Sequence, residues 1–344
     1  MFEPVQARPT RRNLTLSLVA SAFPCPAIAQ APAELMVGTA NSSSDVEVFL
    51  AQKKGWFADE RINVKTISFA SAANMVAPLS AGQLDIGGGA ISAGMYNAFA
   101  RGIKLRAVAD KASSQPGYPV NRCLVAKRHF DSGRYKTLAD LKGMKIGNNG
   151  IGNSGWGSIW GALRLAGLTF DDVQIVQLAY PDHIFALENK SLDATCVTEP
   201  TATVAVMNGL AVEVVSDDQA RPRHALAQIL FSERMMADKD LSIRFLRAYL
   251  RSVRYYVGAF KNSRLAGPNA EEIISVLTEF TPIKDPQVFR EIVPNGVDPN
   301  GRIDIETLRE DQQIYRQMGW LESNTTVEDV VDLSLLEATL NSLR

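Results

Sequence analysis

The residues of this chain best suited to holding a guest are glycines and short polar side chains placed where strands hand over to helices. Gly82 to Gly94 (GQLDIGGGAISAG) reads as a short buried strand, Leu84 to Ile86, then a turn of three glycines, then a helix from about Ile91 or Ser92 to Ala100. Glycine lets backbone approach a guest closely, and the first turn of a helix leaves N–H groups unpaired at the positive end of its dipole. Such a junction suits a carboxylate, sulfonate, phosphate or polar ring atom. The same residues also suit a tight turn with no guest. Gly150 to Gly157 (GIGNSGWG) repeats the pattern, with Asn153 or Ser154 as cap and a helix from Ser158 to Ala166. Recurrence in separate halves of the chain favours a binding role over coincidence.

The patterns of several other chemistries are missing. Neither a dinucleotide fingerprint (G-x-G-x-x-G with its downstream acid) nor a Walker lysine accompanies the Gly82–Gly94 stretch, and the chain has no C-x-x-C, H-E-x-x-H or G-x-S-x-G and no paired acids with an obvious His between them. His129, His183 and His224 are scattered, so neither a metal nor another cofactor is expected.

Strand and helix alternate with short connections, the mark of a parallel α/β sheet. Strands are expected at Glu34–Thr39, Ile62–Phe69, Leu105–Ala109, Cys123–Ala126, Met144–Ile146, Val173–Leu178, Leu192–Val197 and Leu210–Val215. Ala225–Phe231 is expected to return to the first sheet. Asp45 can cap the helix that follows the first strand, and helices are also expected at Ser71–Ala81 and Thr201–Met207. Ser113–Pro119 breaks the alternation and is the first candidate crossover. After Ser232 the chain reads as helical, with Leu246, Tyr249, Leu250, Val253, Tyr256 and Phe260 recurring at helical spacing.

At the start, Arg11-Arg12 precedes a mildly apolar run, Leu14 to Phe23, and the small-x-small pattern Ala27-Ile28-Ala29. Residues 1–29 therefore read as a signal peptide. Leu14, two residues after the arginine pair, makes the segment resemble the twin-arginine export signal, with Sec export as the alternative. Ala22-Phe23-Pro24 before Cys25 is a poor lipoprotein box. The mature protein is expected to start near Gln30 and to be periplasmic.

Setting those residues aside removes Arg8, Arg11, Arg12 and Glu3 and takes the formal charge from −1 to −3. That balance argues against nucleic acid or an anionic membrane as partner. The remaining ~315 residues favour two lobes. Cys123 and Cys196 remain; a disulfide is open to an exported chain, but two cysteines in apolar strands are more often separate core residues.

Lys54 to Asp59 (KGWFAD), Gly82 to Gly87 (GQLDIG), Thr137 to Gly143 (TLADLKG) and Thr198 to Pro200 (TEP) resemble, in order, the landmarks of ABC-transporter solute-binding proteins of the nitrate, sulfonate, taurine and thiamine-precursor (NMT1-like) family. The resemblance implies an α/β, two-lobed type II periplasmic binding protein fold with ligand in the interlobe cleft. It places lobe 1 at 34–115 plus 216–344 and lobe 2 at 120–212, hinged near Ser113–Asn121 and Val212–Ser216. Carried over by position, the cleft would be lined by Ser42, Ser43, Ser44 and Asp45; by Gly89, Ala90, Ile91 and Ser92; by Asn153, Ser154 and Trp156; and by Tyr180, Asp182 and Glu199. It also implies a monomer that captures a small-molecule ligand and delivers it to an inner-membrane ABC permease.

None of those loops carries Lys or Arg, so a neutral or singly charged organic solute is expected. Trp156 and Tyr180 offer flat faces for an aromatic or heteroaromatic ring, and Glu199 and Asp182 offer acceptors to an amine or ring N–H. Their ordinary alternatives are core packing for Trp156, N-capping for Asp182 and helix-dipole pairing for Glu199. Two other classes remain open. One is an enzyme on the same fold acting on a pyrimidine-like substrate, although the His and Cys cluster of such relatives is absent. The other is a ligand-sensing subunit of a membrane receptor.

Overall fold

Leu35 and Val37, fully buried, set the inward face of the first strand, β1 (Ala33–Thr39), and the α/β alternation builds outward from it. After α1 (Val46–Lys53), β2 (Ile62–Ser68) and β3 (Ile86–Gly89) pair parallel with β1. Then α2 (Ala93–Ala100) leads to β4 (Arg106–Ser113). The second lobe runs β5 (Arg122–Ala126), β6 (Lys145–Asn148), α3 (Ser154–Leu165), β7 (Gln174–Gln177), α4 (Asp182–Glu188), β8 (Ala194–Val197), α5 (Thr201–Met207) and β9 (Ala211–Ser216). The turn α6 (Asp217–Ala220) then leads to β10 (Ala225–Phe231), which enters the first sheet antiparallel between β3 and β4.

The two five-stranded sheets have orders β2-β1-β3-β10-β4 and β7-β6-β8-β5-β9. The fold is therefore the two-lobed α/β class. The chain passes between sheets at 114–121 and 217–224; residues 212–216 lie inside β9, where Ser216 pairs with Arg122. The structure is a computed structural model that describes residues 1–2, 31–40 and 42–343, and the expected export segment lies outside the described residues. Pro32–Arg344 forms one compact unit, to which this account applies.

The long helix α7 (Lys239–Val257) presents Phe245, Leu246, Tyr249, Leu250, Val253 and Tyr256 to the first-lobe core, all fully buried. Burying such a stripe is what makes a helix of mixed composition stable. Further on, α8 (Ile305–Gln317) packs against α3 of the second lobe. Among the described residues, no helix is long and apolar enough to cross a membrane.

Several local expectations change. The helix expected from Ser158 begins at Ser154, inside the stretch expected as a turn. Gly87, Gly88 and Gly89 are not a turn but most of β3, paired with Leu230, Ile229 and Gln228 of β10. The cause is space: a Cβ at Gly89 would lie 2.3 Å from that of Ala72, and one at Gly88 would lie 2.8 Å from Cε of Lys111. Cys123 and Cys196 are joined by a disulfide rather than lying apart as separate core residues. Strand order makes β5 and β8 neighbours with these two residues as direct partners, a proximity that 73 residues of separation conceals in the sequence.

Candidate functional site

The interlobe cleft holds two adjoining chambers. The outer, about 370 Å³, lies between Phe69 and Ile283 of the first lobe and Tyr180, Ile184, Phe185 and Val204 of the second. The inner, about 40 Å³, has mostly apolar walls, into which Ser42, Ser44, Lys111, Asn149, Asn153 and Thr198 are set. Ser42, Tyr180 and Thr198 border both. Burial, reinforced by the charge of Asp217, raises the pKa of the Tyr180 hydroxyl, so it remains a protonated donor between them.

The first-lobe wall is built by the turn Ser42–Asp45. Asp45 Oδ2 accepts from the N–H groups of Ala40 and Ser42 at 3.0 and 3.1 Å, which folds the loop back on itself. Its Oδ1 sits 2.9 Å from Nζ of Lys111, whose side chain is 1% exposed, and that ammonium donates to Ser44 Oγ at 2.8 Å. Lys111 lies on β4 and passes over Gly88 because glycine leaves room for its methylenes. The cleft therefore does contain a cation, delivered by a strand interior and not by a loop. The charged pair Asp110-Lys111 in the interior of β4 was the available signal. Ser43 closes across to the second lobe, its N–H and Oγ both donating to the Glu199 carbonyl at 3.2 and 3.1 Å.

Glu199 borders the outer chamber, but its carboxylate is engaged by protein. Oε1 meets Arg122 Nη1 at 2.7 Å and accepts from Thr203 Oγ1 at 3.0 Å, while Oε2 accepts from Thr203 N at 2.9 Å. Arg122 comes from β5, again outside the loops. Asn153 borders the inner chamber and caps α3, accepting from Gly155 N at 3.0 Å. Gly89 and Ala90 border it too, whereas Ile91 and Ser92 do not. Ile91 is buried with its N–H on Gln228 Oε1, and Ser92 caps α2 through Met95 N. Ser154 is buried in the first turn of α3. Trp156 borders neither chamber: its indole N–H donates to the Gly150 carbonyl at 2.8 Å and its ring packs on Phe170 and Trp320. Asp182, the first residue of α4, is exposed and borders neither chamber. Sequence reasoning did not single out Lys111, Asn149, Phe69 or Phe185.

Beneath the cleft the second crossing is pinned by buried charge. Arg221 reaches Asp311 and Glu310, at 2.5 and 2.8 Å, and His224 lies 3.0 Å from Asp217 and 3.1 Å from Asp311. Burial and Arg221 work against the imidazolium, but the carboxylates of Asp311 and Asp217 outweigh them and raise the His224 pKa. Ser158 on α3 donates to Asp217, so both lobes hold this network. Among the described residues, no group of three or more His, Cys, Asp or Glu side chains could hold a metal ion.

Several known proteins share this architecture. A Bacillus subtilis (strain 168) protein named as an aliphatic sulfonates-binding protein is 26% identical over 319 residues, covering 89% of this chain and 88% of its own. The nitrate-binding protein NrtA from Synechocystis PCC 6803 superposes with a TM-score of 0.73 at 13% identity, over 92% of this chain and 90% of that one. The alkanesulfonate-binding protein SsuA from Xanthomonas axonopodis pv. citri, bound to MOPS, gives 0.69 at 18% identity, over 88% and 99%. The desulfurization enzyme DSZB gives 0.62 at 13% identity, over 91% and 100%, so this fold also occurs in an enzyme. Residues 29–266 match the NMT1-like family, and the chain belongs to that family.

Proposed function

We propose that this chain is the solute-binding subunit of an ABC import system, capturing a small organic solute between its lobes and passing it to an inner-membrane permease. The observation that carries the reading is the two-chambered cleft between lobes joined by two chain crossings, mostly apolar in its walls, with Ser42, Lys111, Asn153 and Thr198 converging at its inner end. A concave, mostly apolar space with a few convergent polar groups is how small-molecule sites are built. Named relatives that bind sulfonates or nitrate support the same role, and the twin-arginine-like start supports export to the periplasm. The solute is neutral or singly charged, with Tyr180 offering a face to a ring.

The test is to release whatever co-purifies with the protein, identify it by mass spectrometry, and add it back. A solute present at a hundredfold its Kd should raise stability by about 2.7 kcal/mol and shrink the radius of gyration in small-angle scattering. The reading fails if no solute is recovered and none added back or screened changes either quantity. A solute returned chemically altered after incubation would make the protein a catalyst instead.

A further inference from the structure

We propose that His224 is a proton-operated tie between the lobes: charged, it bonds Asp217 and Asp311 together and holds the lobes in the contact seen here; neutral, it releases Asp311 and lets them part. Such a tie governs how the lobes move and not what they hold, and it is tested without a solute.

The tie joins groups from both lobes and both crossings. Asn121, at the end of the first crossing, donates through Nδ2 to Ser158 Oγ at 2.7 Å, and Ser158 on α3 donates to Asp217 Oδ2 at 2.8 Å. The same carboxylate oxygen lies 3.0 Å from His224 Nδ1, and His224 Nε2 lies 3.1 Å from Asp311 Oδ2 on α8. That helix sits with the first lobe, where Tyr315 meets Tyr96 of α2 edge to face. From the second lobe, α3 is seated directly on the ion pair: a Cβ at Gly157 would lie 2.0 Å from Arg221 Nη1 and 2.1 Å from Asp311 Oδ1. In this arrangement the lobes touch, Ala93 N donating to the Gly152 carbonyl at 2.7 Å.

Nε2 stands between two partners of opposite kind. Arg221 Nη1, 2.9 Å away, can only donate to it, and Asp311 Oδ2 can only accept from it. The proton on Nε2 therefore decides which of the two bonds exists.

Charge decides which form the contact favours. The side chains of Asp217, Arg221, His224 and Asp311 are each at most 2% exposed. Two carboxylates against one guanidinium leave this buried set one negative charge in excess, and the imidazolium cancels it. Buried uncompensated charge is costly, so loss of the proton favours parting of the lobes. Glu310 on α8 is half exposed and holds Arg221 from the solvent side. Arg223 pairs with Asp304, Asp218 accepts from the Gly117 N–H, and Arg164 of α3 donates to the Ala220 carbonyl. The hydroxyls of Tyr96 and Tyr315, raised by burial and by Asp311, stay neutral. Burial and Arg221 oppose the imidazolium, but Asp311 and Asp217 prevail and raise its pKa. The tie is therefore intact below about 6.5 and is lost as pH rises through the raised value.

The test follows the untagged protein, freed of solute, from about pH 5 to about pH 9 by small-angle scattering and by NMR of the histidine ring protons. His129 and His183 are the other histidines, so the His224 signal is the one missing from His224→Gln. In the wild type it should titrate with a midpoint above about 6.5, and the radius of gyration should rise with the same midpoint. His224→Gln, neutral at every pH, should keep the larger radius throughout. Asp110, which burial lifts to about 7, titrates in the same range while accepting from Ser113 and the Asp298 N–H. A pH response of the radius that survives in His224→Gln therefore overturns the inference, as does a His224 midpoint at or below about 6.5 or a wild-type radius that does not change with pH. Should His224→Gln not fold, Asp110→Asn decides: its radius should still follow pH, and a flat response would overturn the inference by assigning the switch to Asp110.

Discussion

Two strand-to-helix junctions, one per lobe, carry nearly the same sequence signal and put it to different uses. At β3–α2 the glycines lie in the strand and press against Ala72 and Lys111, and the first helical N–H, that of Ala93, is given to the Gly152 carbonyl of the other lobe at 2.7 Å. At β6–α3 the loop 149–153 turns through Gly152, with φ of +58°, and places Asn149 and Asn153 at the inner chamber. The first junction contributes backbone and Ala90 to the chamber and spends its helix terminus on protein; the second contributes side chains. A glycine cluster thus records a close approach, and the atoms across from it decide whether the approach is by strand, lobe or ligand.

The largest expected effect is on the packed side of that comparison. Gly89→Val would put its Cβ 2.3 Å from Ala72 Cβ and 3.2 Å from its Cα, neither of which a side-chain rotation can move. Overpacking of this kind costs about 3 kcal/mol. Urea unfolding should show the midpoint fall accordingly with the slope unchanged. A midpoint at the wild-type value would mean that β3 does not need glycine there.

Gly152→Ala moves the test to the contact between junctions. Its backbone lies in the left-handed region, and the added Cβ would lie 2.8 Å from that of Ala93 across the cleft. The left-handed conformation alone costs about 1–2 kcal/mol for a residue with a Cβ. The clash, in contrast, acts between the lobes and, on the solute-binding reading, opposes their closure. The variant should therefore bind the recovered solute about tenfold more weakly and stay more expanded in scattering. Unchanged affinity with a lowered melting temperature would assign Gly152 to the second lobe's own stability.

How much of this was legible depended on how local each cause was. The return of β10 was legible as a short, nearly continuous apolar run and the stripe of α7 as apolar periodicity, and Ala225–Phe231 and Thr201–Met207 have the expected bounds. The glycines of β3 were misread as a turn because their reason, Ala72 and Lys111, lies on other elements. Lys111 was missed because the search for cations was confined to loops, whereas β4 delivers this one from within the sheet. The acceptor reading of Glu199 did not anticipate Arg122, 77 residues away. Trp156 lies in the first turn of α3, and its neighbour Trp320 comes from the far end of the chain. Pairings across such distances leave no periodic trace.

The smallest expected effect sharpens the comparison most, because the two helix caps should cost similar stability and different affinity. Ser92 Oγ accepts from Met95 N at 3.3 Å and borders neither chamber. Asn153 Oδ1 accepts from Gly155 N at 3.0 Å, and its Nδ2 donates to Asn149 Oδ1 at 2.8 Å, so it caps α3 and braces the chamber wall together. Loss of either cap costs about 1 kcal/mol. Ser92→Ala should lower the melting temperature and leave Kd for the recovered solute within about twofold. Asn153→Ala should lower the melting temperature by a similar amount and raise Kd about fivefold, the loss of roughly one net hydrogen bond. Equal affinity losses in the two variants would mean that the junctions act alike on the ligand, and the division of labour between them would have to be abandoned.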